Sequence, residues 1–165
     1  MSIIVEPGIE EQGRIVVVDD EDMVLVALSS FLALETRHEV LTFTRARDAL
    51  EYIEKNDVDM IISDFLMPEM DGLSFLRNAR DLRPEVPRII LTGYADKENA
   101  IKAINEVGLY QYIEKPWSND DLLLVIRNGV EKRRLVRKLG QKVEQINRAY
   151  AELQGIQQDI LKAFV

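Results

Sequence analysis

With 165 residues, 47% hydrophobic and 30% charged, the chain has room for one ordinary domain and a modest extension, and its balance is that of a soluble globular protein. It carries no cysteine and one histidine, His38, which excludes disulfides, thiolate chemistry and any multi-histidine metal centre. The net charge of −8 divides unevenly: residues 1–126 hold 12 Lys+Arg against 25 Asp+Glu, and residues 127–165 hold 9 against 4. An acidic body with a basic tail predicts two parts with different jobs. No apolar run approaches membrane-spanning length, and the acidic stretch at residues 1–13 reads as a flexible leader rather than a signal peptide. A cytoplasmic protein is expected.

After the leader, apolar runs alternate with helical patterns. Arg14–Val18 reads as a strand stopped by Asp19-Asp20-Glu21-Asp22, and Met23–Leu34 follows with helical spacing. Glu39–Phe43 reads as a second strand, with Thr44 capping a helix that runs to about Lys55. Val58–Ser63 is a third strand, ended by Asp64, and a loop holding Pro68 and Gly72 leads into a helix over Leu73–Asp81. Arg88–Leu91 is a fourth strand ending at Thr92-Gly93, followed by a helix over roughly Asp96–Val107. Leu109–Ile113 is the fifth strand, stopped by Lys115-Pro116, and Ser118 caps the last helix. His38 reads as a surface residue at the start of strand two, and Trp117 as packing at the start of the last helix.

Five short, almost wholly apolar strands alternating with helices predict an α/β fold, a doubly wound parallel sheet covered on both faces. Right-handed crossovers complete that picture. Ligands of such sheets bind beyond the carboxyl ends of the strands. The residues that end the strands here are Asp19, Asp20, Asp64, Thr92 and Lys115. Three converging carboxylates repel one another, and a hard divalent cation such as Mg²⁺ relieves that repulsion. An ammonium, a hydroxyl and a carboxylate able to attack complete the parts of a phosphoryl-transfer site. Asp64, on the central strand between the expected cation and Lys115, is the candidate nucleophile.

Four pieces carry a family resemblance: Val18-Asp19-Asp20-Glu21, the run from Asp64 to Gly72 that reads DFLMPEMDG, Thr92-Gly93-Tyr94, and Lys115-Pro116. In order and spacing, over roughly residues 13–128, they resemble the response-regulator receiver domain, the CheY-like partner of two-component histidine kinases. The resemblance implies the flavodoxin-like strand order 2-1-3-4-5, a sensor histidine kinase as phosphodonor and Mg²⁺ as cofactor. It makes Asp64 the phospho-acceptor, Asp20 a direct metal ligand, Asp19 a ligand largely through water and the Leu66 carbonyl a third protein ligand. It makes Thr92 the switch hydroxyl, Lys115 the ion pair to the phosphoryl group, and Tyr112 the aromatic that turns inward on activation. Leu66 and Tyr94 stand where the family tunes phosphoryl loss, and neither holds an attacking water, so a long-lived phosphoryl state is expected.

Each piece has a plainer reading. Acids after a strand also suit the first turn of a helix, Thr92-Gly93 could merely end a strand, and Tyr112 could be an ordinary strand aromatic. Asp71-Gly72 and Pro68 serve a turn and a helix start. Two rivals follow. An aspartate-based phosphatase needs a second aspartate two residues after the nucleophile, where this chain has Leu66. A pure scaffold would keep the rod and let the acidic site lapse.

From Val136 a heptad appears, with Val136, Val143, Tyr150 and Phe164 at one core position and Leu139, Ile146, Leu153 and Ile160 at the other. Gln157 alone interrupts it. Residues 136–164 would form a rod of about 44 Å. The register extends back to Leu122 and Val125, with a lapse at Gly129 and Lys132. The expected division is a leader at 1–13, a receiver at 14–128 and a coiled-coil extension at 129–165 that forms a parallel homodimer. Ile156, Leu161 and Ala163 widen the stripe, which also suits a higher oligomer or a further domain. The basic block Lys132, Arg133, Arg134, Arg137 and Lys138 reads as a solvated face; nothing beside it resembles a nucleic-acid recognition helix, and no membrane contact is expected. The heptad still runs at Phe164-Val165, which leaves an output domain beyond Val165 and a rod that is itself the output as alternatives.

Overall fold

The computed structural model describes residues 11–164, apart from the side chain of Tyr94. Most of the expected leader therefore lies outside the described residues. Two units are present, residues 1–130 and 131–165.

The first unit is a five-stranded parallel sheet of order β2-β1-β3-β4-β5. Its strands are β1 (Arg14–Val18), β2 (Glu39–Phe43), β3 (Met60–Asp64), β4 (Arg88–Thr92) and β5 (Gln111–Glu114). The helices are α1 (Asp22–Glu35), α2 (Ala46–Lys55), α3 (Gly72–Leu82), α4 (Lys97–Ala103) and α5 (Asn119–Ala163). The three inner strands are buried on both faces because side chains alternate between two helical layers. Val16, Val18, Ile61 and Ile90 meet Ala49, Ile53, Phe75, Leu76 and Ala100 on one side. Ile15, Val17, Ile62, Ile89 and Leu91 meet Leu25, Leu28, Leu32, Leu122 and Ile126 on the other. Each buried Val, Leu, Ile or Phe among them contributes about 1.5–3 kcal/mol by leaving water.

Several boundaries differ from the sequence expectation, each for a local reason. Strand β3 starts at Met60 and keeps Asp64 as its last residue, because the ladder pairs Asp64 with Leu91. Thr44 does not cap α2; the cap position is Arg45, and no side chain fills it. At α3 the cap is genuine: the Asp71 carboxylate accepts the Ser74 N–H at 2.8 Å. The expected helix after β4 is broken into a 3₁₀ turn at Tyr94–Asp96, the short α4, and a π-helical turn at Ile104–Gly108. Gly108 closes that turn at φ +68°, a conformation that glycine adopts without strain. His38 is not a surface residue: it is 6% exposed, and its Nδ1 accepts the N–H of Gly13 at 3.0 Å.

The lapse at Gly129 also has a structural cause. Gly129 is buried, and a Cβ there would run into the Met60 side chain and come within 3.2 Å of the Tyr110 ring. Leu122 and Val125 pack in the core beneath the sheet. The early part of α5 is thus a receiver-core helix, and its apolar positions are not the start of the heptad.

Among its described residues, the second unit is a single helical segment without another element of its own to cover its stripe. Its described ion pairs, Arg134–Glu131 and Arg148–Glu144 at 2.7 Å, lie along the same helix and contribute a few tenths of a kcal/mol each. Among the described residues, no helix is long and apolar enough to cross a membrane.

Candidate functional site

Parallel strands end together, so the residues just past β1, β3, β4 and β5 share one edge of the sheet. Asp19 follows β1 and is fully buried; its backbone N–H donates to the Phe43 carbonyl, which ties it to β2. Its Oδ1 accepts the Glu21 N–H at 2.9 Å. Asp64 ends β3 and is 7% exposed. Lys115 follows β5, where its N–H donates to the Thr92 carbonyl at 2.8 Å. The Lys115 Nζ lies 2.8 Å from Asp64 Oδ1 and 3.6 Å from Asp19 Oδ2. The Lys115–Pro116 peptide bond is cis.

The electrostatics follow from this packing. Burial raises the Asp19 pKa; the Glu21 N–H pulls it back, and the negative charge of Asp64 adds to the rise. Burial opposes the charge on Lys115, yet its hydrogen bond to Asp64, joined by Asp19, holds its pKa above the ordinary lysine value. Asp19, Asp20 and Asp64 offer carboxylate oxygens within 4.8 Å of one another. Asp19 Oδ2 is buried without a hydrogen-bond partner. Three hard oxygen donors, one with an open acceptor, suit a hard divalent cation.

An open cleft of about 350 Å³ covers this cluster, lined among others by Asp20, Asp64, Leu66, Gly93, Asp96 and Lys115. Leu66 is 62% exposed at its wall. Thr92 is buried at the end of β4, and its hydroxyl donates to the Gly93 carbonyl at 3.0 Å. Tyr112 is half-buried on β5, against the α2–α4 layer. Of the site residues read from the sequence, Asp20, Asp64, Leu66 and Lys115 line the cleft and Asp19 joins the acidic cluster, Thr92 is tied to Lys115 through its carbonyl, and Tyr112 lies further back on β5, opposite Ile90. The side chain of Tyr94 lies outside the described residues.

Three residues of the site were not legible in the sequence. Gly72 approaches the backbone of Asp64 so closely that a Cβ would stand 2.9 Å from the Asp64 carbonyl carbon and 3.1 Å from Phe65 Cα. Ser63, fully buried, donates its hydroxyl to the same Asp64 carbonyl at 2.9 Å. Asp96 brings a further acid to the cleft. An acid four residues past Thr92 was visible, but only the 3₁₀ turn carries it to the rim. The loop between Asp64 and Gly72 closes on itself: the Gly72 N–H donates to the Phe65 carbonyl and the Met70 N–H to that of Pro68, both at 2.8 Å. Glu69 sits in this γ-turn at φ +69°, a strained position for a residue with a Cβ.

Comparison with known proteins agrees with this geometry. The family model for the response regulator receiver domain matches residues 15–127. The hydrogenase transcriptional regulatory protein HoxA of Cupriavidus necator is 40% identical over 122 residues, which cover 74% of this chain and 25% of that protein. A response regulator receiver domain protein from Clostridium thermocellum superposes with a TM-score of 0.71 at 33% identity, over 75% of this chain and 98% of the other. The signal receiver domain of an HD domain-containing protein from Pseudomonas fluorescens Pf-5 gives 0.72 at 32% identity, over 79% and 95%. The chain belongs to the response regulator receiver domain family, the phosphorylation-dependent signalling regulators that work with histidine kinases. It spans about a quarter of the length of the first curated relatives that it matches.

Proposed function

We propose that this protein accepts a phosphoryl group on Asp64 from a sensor histidine kinase and passes the change to its C-terminal helix. The contact between Lys115 and Asp64, at 2.8 Å beside a buried Asp19, is the observation that carries this reading. A carboxylate oxygen of Asp64 attacks phosphorus, the bond to the donor imidazole breaks, and its electron pair leaves with the imidazole. Lys115 offsets charge on the phosphoryl oxygens from a fixed position. Asp19, Asp20, Asp64 and the Leu66 carbonyl would hold Mg²⁺, which when bound neutralises charge between carboxylate and phosphate. The Thr92 hydroxyl, freed from the Gly93 carbonyl, turns to a phosphoryl oxygen, and Tyr112 moves inward behind it. The chain's chemistry is then confined to its own phosphorylation and dephosphorylation.

A division into leader, receiver (14–128) and extension (129–165) belongs to the same reading, as does a cytoplasmic setting. The apolar stripe of the second unit supports a coiled-coil homodimer, in which phosphorylation alters the packing between two receivers. An output domain following the rod is compatible with relatives four times as long. Labelling by a small phosphodonor with Mg²⁺ tests the assignment. Wild type is expected to be labelled and Asp64→Asn not, and equal labelling of the two would sink it. Steady turnover of a chromogenic phosphate ester would favour a phosphatase instead.

A further inference from the structure

We infer that two such homodimers associate through the g-edge of the C-terminal helix, so that the rod assembles as a four-helix bundle of identical chains. The inference rests on the homodimer reading above. Taking Val136 as position a, a two-stranded seam uses only positions a and d, with charges of opposite sign on the e and g flanks. Here the g positions are Leu135, Lys142, Ala149, Ile156 and Ala163, four of the five apolar. In a parallel pair, each g side chain faces the e position of the partner's next heptad. Lys142 would then face Asn147, Ala149 would face Gln154, and Ile156 would face Leu161. None of these is an ion pair. Leu135, Ile156 and Leu161 are 51%, 56% and 61% exposed on the helix, and a two-stranded seam would leave them at its margin.

An apolar face of a, d and one flanking position is the pattern of a helix with neighbours on two sides, as in a bundle. The core layers point the same way. Ile146 and Ile160 put β-branched residues at position d, a choice that moves assemblies above two strands. The occupant is another pair of this chain because the edge carries one charge, Lys142, and is otherwise apolar and self-complementary. A two-fold axis across the rod sets Ala149 of one pair against Ile156 of the other and Lys142 against Ala163, so no like charges meet. The widening falls on the g side, with Leu161 alone at e, which suits four strands better than a three-fold arrangement that uses both flanks alike.

The test is sedimentation equilibrium of the 165-residue chain over a wide concentration range, with Ile156→Glu and Leu153→Glu beside it. The expected results are four chains for wild type, two for Ile156→Glu and fewer than four for Leu153→Glu. The receiver's thermal transition should stay at its wild-type value in both variants and helix content should stay so in Ile156→Glu, which separates loss of assembly from loss of folding. A wild type that stops at two chains overturns the bundle and leaves the homodimer standing. A monomer overturns both. A trimer, or a tetramer indifferent to Ile156→Glu, overturns the g-edge assignment.

Discussion

Gly72→Ala is the sharpest probe of how the acceptor loop is held. A methyl group at position 72 would overlap the carbonyl of Asp64, with the carbonyl carbon at 2.9 Å, inside the 3.0 Å that Cβ contacts essentially never breach. Both parties are backbone, and Ser63 and the Gly72–Phe65 hydrogen bond hold the loop from either side. No flexible side-chain end can yield, so Asp64 or α3 must move by a distance on the order of 1 Å, a misplacement that can cost roughly a hundredfold in rate. Overpacking of this kind costs about 1–3 kcal/mol, and a domain of this size should lose roughly 6–15 °C in Tm at the upper end of that range. Without the clash, alanine would instead stabilise by about 0.4–1 kcal/mol through lower unfolded-chain entropy, so the sign of the change is diagnostic. Thermal unfolding and the rate of labelling by a small phosphodonor give the two readouts. Gly93→Ala is the control, since a methyl there meets nothing within 4 Å. A Gly72→Ala protein that melts at or above wild type and labels at the wild-type rate would refute the reasoning.

Other outcomes follow from the same geometry. Because burial raises the Asp19 pKa, the folded chain holds that proton more tightly than the unfolded one. A cation that needs the ionised form competes with it. Apparent Mg²⁺ affinity, followed by Trp117 fluorescence, should fall as pH is lowered from neutrality, and Asp19→Asn should flatten the dependence. Arg88 is buried and donates to the carbonyls of Val86 at 3.0 Å and Gly108 at 2.9 Å, with longer bonds to Arg83 and Pro84. Arg88→Met leaves these acceptors without their donor and should cost about 2–4 kcal/mol in urea unfolding, with wild-type labelling of Asp64 once folded. The phosphoryl group should outlast seconds in the purified protein, since the Leu66 side chain offers no polar atom to hold a water; decay within seconds would overturn that reading and point to Asp96 as the group that places one.

The strand ends were readable because their cause is local. An apolar run buried on both faces must stop where an acid or a lysine follows, so Asp19, Asp64 and Lys115 announced the sheet edge before any fold was known. Parallel strands with right-handed crossovers then left little choice about where those ends meet. The helix after β4 misled for the complementary reason: its spacing is helical throughout, and a 3₁₀ or π-helical turn leaves no mark of its own in that spacing. His38 looked like a surface residue because its chain neighbours are polar, yet a backbone N–H twenty-five residues away draws it inside. Gly72 and Ser63 looked like turn and strand residues, since nothing in their chain neighbourhood says that both converge on the carbonyl of Asp64. Such contacts depend on how β3, its loop and α3 close on one another, a relation between elements that no periodicity encodes. Periodicity records which face of an element is buried; the approach of one backbone to another is decided only when the elements pack.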